Sequence, residues 1–252
     1  MNRDELNEEQ DFWDEFAGEY TAIQSESQVN IVGDISAYLA GEISSPVDTL
    51  VDLAGGSGKY LLGLESLTKK YILVDFSKEM IRLAQTSFPM SQADFQLMDQ
   101  ASFLSRTSNQ SYDVLFSAMN PAIRTKNDLN EILRITKKRV YLLRLVQEEE
   151  SLFSPFEEEN DELKLMARYK NWLDTPYQSH YFTYRVEEVI TKDFFYDYYS
   201  DQLAPVVLEQ ALQQFFPVQD TAINHKLLTF ELLSIDLEDC KGGKYENYPI
   251  TH

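Results

Sequence analysis

Between Thr49 and Lys59 the chain reads Thr-Leu-Val-Asp-Leu-Ala-Gly-Gly-Ser-Gly-Lys. No other stretch constrains the fold as strongly. A short, mostly apolar run that stops at a glycine cluster fits a strand buried on both faces. The glycines make a turn on which no Cβ keeps a ligand away from the backbone. The pattern then repeats. Residues 71–74 (Tyr-Ile-Leu-Val) read as a second buried strand closed by Asp75, and Ser77 is placed to N-cap a helix over Lys-Glu-Met-Ile-Arg-Leu-Ala-Gln. Further strands are expected at 95–98, 112–117 and 139–146. Helices are expected from near Gly58, carrying Leu61, Leu62 and Leu64, and over 128–135. Strands alternating with helices at this spacing predict an open parallel α/β sheet covered on both faces.

Two helices precede the first strand. Phe12, Trp13, Phe16 and Tyr20 recur at helical spacing, the first three as expected core packing. Ile31, Val32, Ile35, Tyr38 and Leu39 share a face until Pro46 breaks the pattern. After residue 147 the signal loosens. Eight acids and no base lie between 148 and 162, which reads as a solvated face. Aromatics follow at Tyr169, Trp172, Tyr177, Tyr181, Phe182 and Tyr184, as packing or as the wall of a pocket. Residues 186–190 with 194–196 are expected as a sixth strand, 205–216 as a helix and 226–235 as the last strand.

Composition narrows the function. The 252 residues hold 22 Lys and Arg against 42 Asp and Glu, a net charge of −20. Such a chain repels phosphate backbones, and without a basic patch a nucleic-acid partner is not expected. No apolar run is long enough to span a bilayer, and the acidic start Met-Asn-Arg-Asp-Glu-Leu lacks the features of a signal peptide. Cys240 alone cannot form an internal disulfide, so a cytoplasmic setting is expected; with His180, His225 and His252 as the histidines, no metal centre is expected.

Three ligand classes use a glycine turn after a first strand. A triphosphate-binding loop needs a glycine at 53 and a hydroxyl at 60, where Leu53 and Tyr60 stand. A dinucleotide fingerprint needs a third small residue at 61, which is Leu61, although Asp75 lies at a distance suited to a ribose contact. In the third class an acid lies inside the strand, two residues before the turn: Asp52-x-Ala54-x-Gly56-x-Gly58. That spacing resembles motif I of the class I S-adenosylmethionine-dependent methyltransferases, with alanine in place of the first glycine. Val74-Asp75-Phe76-Ser77-x-x-Met80 resembles the family's second-strand motif, Met98-Asp99-Gln100 its third and residues 112–117 its fourth strand. Residues 139–142 resemble its fifth strand, and Phe12-Trp13-x-x-Phe16-x-x-x-Tyr20 is similar to the opening helix of small-molecule members. The ordered set covers roughly residues 10 to 146. The ligand's chemistry agrees, because a sulfonium, an ammonium, a ribose diol and an adenine amine all suit carboxylate acceptors.

The resemblance implies a doubly wound, Rossmann-like sheet of seven strands with the last strand antiparallel and an insertion after the fifth. It implies a helical lid over 1–45, a methyltransferase domain over 46–240 with an acidic, aromatic insertion at 147–185, and a polar tail at 241–252. S-adenosylmethionine would be the donor and S-adenosylhomocysteine the product. Asp52 would face the donor's ammonium, with Ala54, Gly55, Gly56 and Gly58 along its amino-acid portion. Asp75 would hold the ribose, Phe76 and Met80 the adenine ring, and Asp99, beside Gln100, the adenine amine. Ser117 would end the fourth strand at the site, and Tyr20 would close over the donor. Asn120-Pro121 is similar to the Asn-Pro-Pro-Tyr loop of amino-group methyltransferases, with Ala122 and Ile123 departing from that pattern. Asn120 and His180 are the candidate catalytic side chains. The expected partner is a small-molecule acceptor, cationic if the acidic run attracts it, with the chain a monomer or homodimer and no membrane association. A nicotinamide-dependent oxidoreductase and a non-catalytic protein that keeps the donor site are the alternatives.

Overall fold

The computed structural model describes residues 3–26, 28–158 and 160–238. Cys240, His252 and the 241–252 tail lie outside the described residues. The chain opens with two helices, α1 (Arg3–Glu26) and α2 (Ile31–Glu42). Strand β1 (Val47–Leu53) leads through the glycine turn to a one-turn helix, α3 (Leu61–Leu64), and then to β2 (Thr68–Asp75). Next come α4 (Lys78–Ser87), β3 (Asp94–Leu97), α5 (Gln100–Arg106), β4 (Tyr112–Ala118), α6 (Lys126–Ile135) and β5 (Thr136–Glu150). The chain ends with α7 (Leu165–Trp172), β6 (Tyr177–Thr191), α8 (Lys192–Tyr199), α9 (Pro205–Phe215) and β7 (Thr221–Asp236).

The described residues form a seven-stranded sheet in the order β3-β2-β1-β4-β5-β7-β6. Strands β1 to β5 pair in parallel. Strand β7 runs the other way. The amide of Leu237 donates to Lys138 and that of Ser151 to His225, so residue numbers fall along β7 as they rise along β5. The hydroxyls of Thr183 and Thr229 meet at 3.2 Å, and Ser179 reaches Glu231, which sets the same sense against β6. The expected fold class, antiparallel last strand included, is the one observed. Strand order reverses between β1 and β4, and in open α/β sheets the ligand crevice opens at the carboxyl ends of the strands at such a point.

Burial explains why β1 sits at the centre. Leu50, Val51 and Leu53 are buried, as are Tyr71 to Val74 on β2 and Val114 to Phe116 on β4. Ser77 caps α4 as its sequence promised, accepting from the Met80 amide, and Thr125 with Asp128 forms a capping box that starts α6 two residues earlier than periodicity suggested.

The chain divides into two compact units. Among the described residues, one holds 3–144, 165–182 and 231–238, and the other 145–164 and 183–230. The helices of residues 3–42 belong to the first. The second has its own core, in which Leu152, Phe153, Phe195, Tyr199, Leu208, Ala211 and Phe216 pack with Phe156, Ile190 and Phe215.

Four expectations need correction. Residues 194–196 are helical: Thr191 caps α8 by accepting from the Phe194 amide, and Phe195 and Tyr199, one turn apart, both enter the second core. The sixth strand is instead the fifteen residues of β6. The helix after the glycine turn begins only at Leu61, because Gly58 has a φ of +84° and belongs to the turn. The acidic run is not wholly solvated, because Glu148 and Glu150 pair with Lys226 at 3.2 and 2.6 Å. On α1, Phe12 is 57 % exposed and rests on Trp13 and Phe16, so the aromatic stripe packs largely on itself while Ala17 is the residue fully buried.

Candidate active site

Seven residues, 54–60, between buried strand β1 and helix α3 build the turn. Ala54 (φ +58°), Gly56 (φ +54°) and Gly58 (φ +84°) all take the left-handed conformation. For the glycines this costs little, whereas for Ala54 it stores strain on the order of 1 kcal/mol. Gly55 is needed for a different reason. A Cβ there would stand 2.7 Å from Leu73 and 2.9 Å from the Asp52 carboxylate. The chain crosses the strand ends that closely, and the Gly55 amide donates to the Val74 carbonyl. At Gly56 a Cβ would meet only Met80 Sδ, at 3.8 Å, so the turn is open on the side of Met80.

Two carboxylates lie under this turn. Asp75 ends β2, is 6 % exposed, and accepts from the Gly56 amide at 2.9 Å and the Ser77 amide at 2.9 Å. Burial raises its pKa; the backbone amides of Ser77, Gly56 and Phe76 oppose that, and Asp14 adds to the rise. Asp52, 1 % exposed, accepts from the Tyr71 hydroxyl at 2.7 Å. Burial pushes its pKa up to about 7, with the Tyr71 hydrogen bond opposing and the charge of Asp75 adding to the rise. Lys59, beside the turn, is held below the usual lysine range by burial.

Helix α1 lies against the end of β2. Asp14 accepts from the Ser77 hydroxyl at 2.5 Å and from the Glu79 amide at 3.0 Å, and Gln10 donates to the Phe76 carbonyl at 2.7 Å. Glu9 pairs with Arg124, beyond β4, at 2.7 Å. Tyr20 packs edge-on to Trp13; burial raises its pKa, a hydrogen bond with Gln24 opposes this, and the charge of Asp75 adds to it, so Tyr20 and Asp75 share one environment. Half-buried Phe76 and buried Met80 flank the same turn.

The loop after β4 is a closed hydrogen-bond cage. The Asn120 amide nitrogen donates to Gln100 Oε1 (2.8 Å) and to Ser117 Oγ (3.0 Å), and its oxygen accepts from the Ala122 amide. Gln100 donates to the Ala122 carbonyl, and Ser117 to the Leu53 carbonyl at the end of β1. Asn120 therefore spends its carboxamide on Gln100 of α5, Ser117 of β4 and the Ala122 amide, and Gln100 is a clasp of that loop. Asp99 uses one oxygen to cap α5 by accepting from Ser102. Met119 has a φ of +52° and is 37 % exposed, a strained residue between Ser117 and Asn120. Ser117, Asn120, Ile123, Leu142, Leu143, Arg144 and Tyr169 line a crevice too tightly packed to admit a water molecule. The Tyr169 hydroxyl donates to the Ile123 carbonyl, tying α7 to this loop.

The structure thus brings Tyr20, Asp52, Ala54, Gly55, Gly56, Gly58, Asp75, Phe76 and Met80 together, and joins Asn120, Ser117 and Gln100 in a second cluster linked to the first through Leu53. It does not bring His180 to them. His180 stands exposed on β6, stacked on Tyr38 at 4.3 Å and edge-on to Phe182. Strand β6 is three positions from β4 in the sheet, so its backbone is about 14 Å from that of β4. Sequence reasoning missed Gln10, Asp14, Tyr71 and Met119. For Tyr71 a signal existed, because a tyrosine inside a buried Ile-Leu-Val strand needs a partner for its hydroxyl. Among the described residues no helix is long and apolar enough to cross a membrane, and no three His, Cys, Asp or Glu are grouped to hold a metal ion.

The donor set fits a cationic ligand with a diol. Acceptor oxygens, a left-handed turn open beside Met80 and a half-buried aromatic at Phe76 suit an adenosyl sulfonium, whereas a pyrophosphate would meet two buried carboxylates. Together these features define an α/β nucleoside-binding domain with an acid-lined glycine turn. A model of the methyltransferase domain family matches residues 44–198, more than half of the chain. The chain belongs to that family, the class I S-adenosylmethionine-dependent methyltransferases. No curated protein matches it. Among solved structures the chain is similar to the YcgJ protein of Bacillus subtilis, with 14 % identity and a TM-score of 0.49, covering 79 % of this chain and 97 % of that one. It is also similar to phosphoethanolamine N-methyltransferase 2 of Haemonchus contortus (12 %, 0.45, 81 % and 52 %) and to geranyl diphosphate C-methyltransferase of Streptomyces coelicolor (10 %, 0.46, 81 % and 78 %). Both of the latter were solved with S-adenosylhomocysteine.

Proposed function

We propose that this methyltransferase acts on a small molecule by in-line methyl transfer. The observation that carries the reading is the charge of the chain: at a net −20 it repels phosphate backbones, so a polyanionic acceptor is disfavoured against a small molecule.

Bound S-adenosylmethionine supplies an electrophilic methyl group on a sulfonium. The chain's residues bind, orient and dry the site around it. Asp52 meets the donor's ammonium and Asp75 the ribose diol. Ala54, Gly55, Gly56 and Gly58 shape the turn against the amino-acid portion, with Phe76 and Met80 beside the adenine and the second oxygen of Asp99 toward its amine. Tyr20 and the rest of α1 close over the donor, consistent with the bonds of Gln10 and Asp14 to Phe76, Ser77 and Glu79. Ser117, Asn120 and Gln100 hold the β4 loop in shape rather than move a proton. No general base is assigned to His180, and transfer then relies on an acceptor that is already nucleophilic.

The test is a labelled-methyl assay against three pools: metabolites below about 1 kDa, total RNA and intact protein. The reading expects label in the metabolite pool alone. Label confined to RNA or protein would overturn it.

A further inference from the structure

The buried contact between Tyr71 and Asp52 belongs to no motif of the donor site, and its geometry is specific. Tyr71 pairs with Leu50 in the register of β1 and β2, and Leu73 pairs with Asp52. The tyrosine thus lies one step diagonal to the acid, and its ring spans that step to place the hydroxyl 2.7 Å from Asp52 Oδ2. Both residues are at most 2 % exposed. Gly55 packs directly over the same oxygen, where a Cβ would come within 2.9 Å. One carboxylate oxygen is therefore fixed from below by a phenol and from above by the turn. Among the described residues nothing donates to the other oxygen, Oδ1.

We infer that Tyr71 is a positioning residue for the donor: it pins one oxygen of Asp52 beneath the glycine turn and leaves the other for the donor's ammonium. This rests on the reading of the turn as the donor site. Without the phenol, the carboxyl group would be free to rotate and would be held in its neutral form by burial. A neutral Asp52 offers the ammonium no counter-charge, so donor affinity follows the ionisation of this one group.

The charged neighbours are few. Asp75 at the end of β2 opposes ionisation of Asp52, and Glu65, in the 3₁₀ turn before β2, acts on Tyr71. From β4 the paired residue is the apolar Phe116. With Asp52 pushed up to about 7, donor affinity should rise with pH across an acid limb near neutrality. The sign follows from linkage: the ligand prefers the deprotonated acid, so raising pH through that value strengthens binding. The Tyr71 hydrogen bond favours the carboxylate, so its removal moves the limb to higher pH.

The experiment is calorimetric titration of the full chain with S-adenosylhomocysteine from pH 5.5 to 8.5, for wild type, Tyr71→Phe and a chain carrying 3-fluorotyrosine at position 71. The fluorinated ring keeps its shape and donates more strongly, so that chain tests the idea even if Tyr71→Phe does not fold. The expected result is an acid limb displaced upward in Tyr71→Phe, with affinity reduced about five- to tenfold at pH 6.5 and within about twofold of wild type at pH 8.5. The fluorotyrosine chain should shift the limb downward. A loss equal at every pH, or limbs that superimpose, would overturn the positioning role. Wild-type protein that binds no S-adenosylhomocysteine at any pH would instead remove the donor-site reading on which the role depends.

Discussion

Single residues carry opposing demands at the glycine turn. Asp75 both satisfies the amides of Gly56 and Ser77 and is assigned to the ribose, so one side chain holds the turn and binds the ligand. Asp75→Ala should weaken S-adenosylhomocysteine binding by about 1–3 kcal/mol, the scale of a charged hydrogen bond with its buried partners left unmet. Calorimetry on the folded variant checks this, and unchanged affinity would refute the ribose assignment. Ala54 shows the reverse economy. A glycine would take the φ of +58° without strain, and the methyl group of alanine is retained against that preference. Ala54→Gly should raise stability by about 0.5–1 kcal/mol, relief of the left-handed strain exceeding the extra freedom of the unfolded chain. Thermal unfolding reads the sign directly; a lower melting temperature would mean that contacts of the Ala54 methyl outweigh the strain.

Elements explain what was legible beforehand and what was not. The turn, its acids and the cap at Ser77 follow from residues close in sequence, and spacing alone located them. Strand order and the antiparallel β7 came from the resemblance to the family. Contacts that cross the sequence left no local trace. Gln10 to Phe76 spans 66 positions and Asp14 to Ser77 spans 63, so the docking of α1 could not be read from its own pattern, which pointed to Phe12, Trp13 and Phe16 instead. Residues 192–199 misled because Phe-Phe-Tyr-Asp-Tyr-Tyr has strand-like composition, yet a Thr191 cap and the one-turn spacing of Phe195 and Tyr199 make it helical. The docking of α1 has a consequence of its own. Asp14→Ala removes the acceptor of the Ser77 hydroxyl and the Glu79 amide, at a cost of about 1–2 kcal/mol to the docking of α1. Amide exchange in residues 9–20 should then quicken roughly tenfold while β1 and β2 keep their protection. Uniform exchange across α1 and the sheet would mean that the helix opens only with global unfolding.

For the whole molecule, the strand order β3-β2-β1-β4-β5-β7-β6 fixes where a ligand can sit, and the acids at that place decide which ligand it is. Asp52 and Asp75 lie beneath the turn at the reversal point, where a pyrophosphate would need bare amides and no carboxylate. The excess of acids over bases carries the same preference to the surface, favouring a cationic donor over anionic partners. By family membership and by this arrangement, the crevice selects an adenosyl sulfonium over a dinucleotide. Calorimetric titration with S-adenosylmethionine and S-adenosylhomocysteine beside NAD and NADP tests it most directly. Micromolar binding of the first pair and no heat from the second are expected; binding of a nicotinamide dinucleotide in their place would contradict that selectivity.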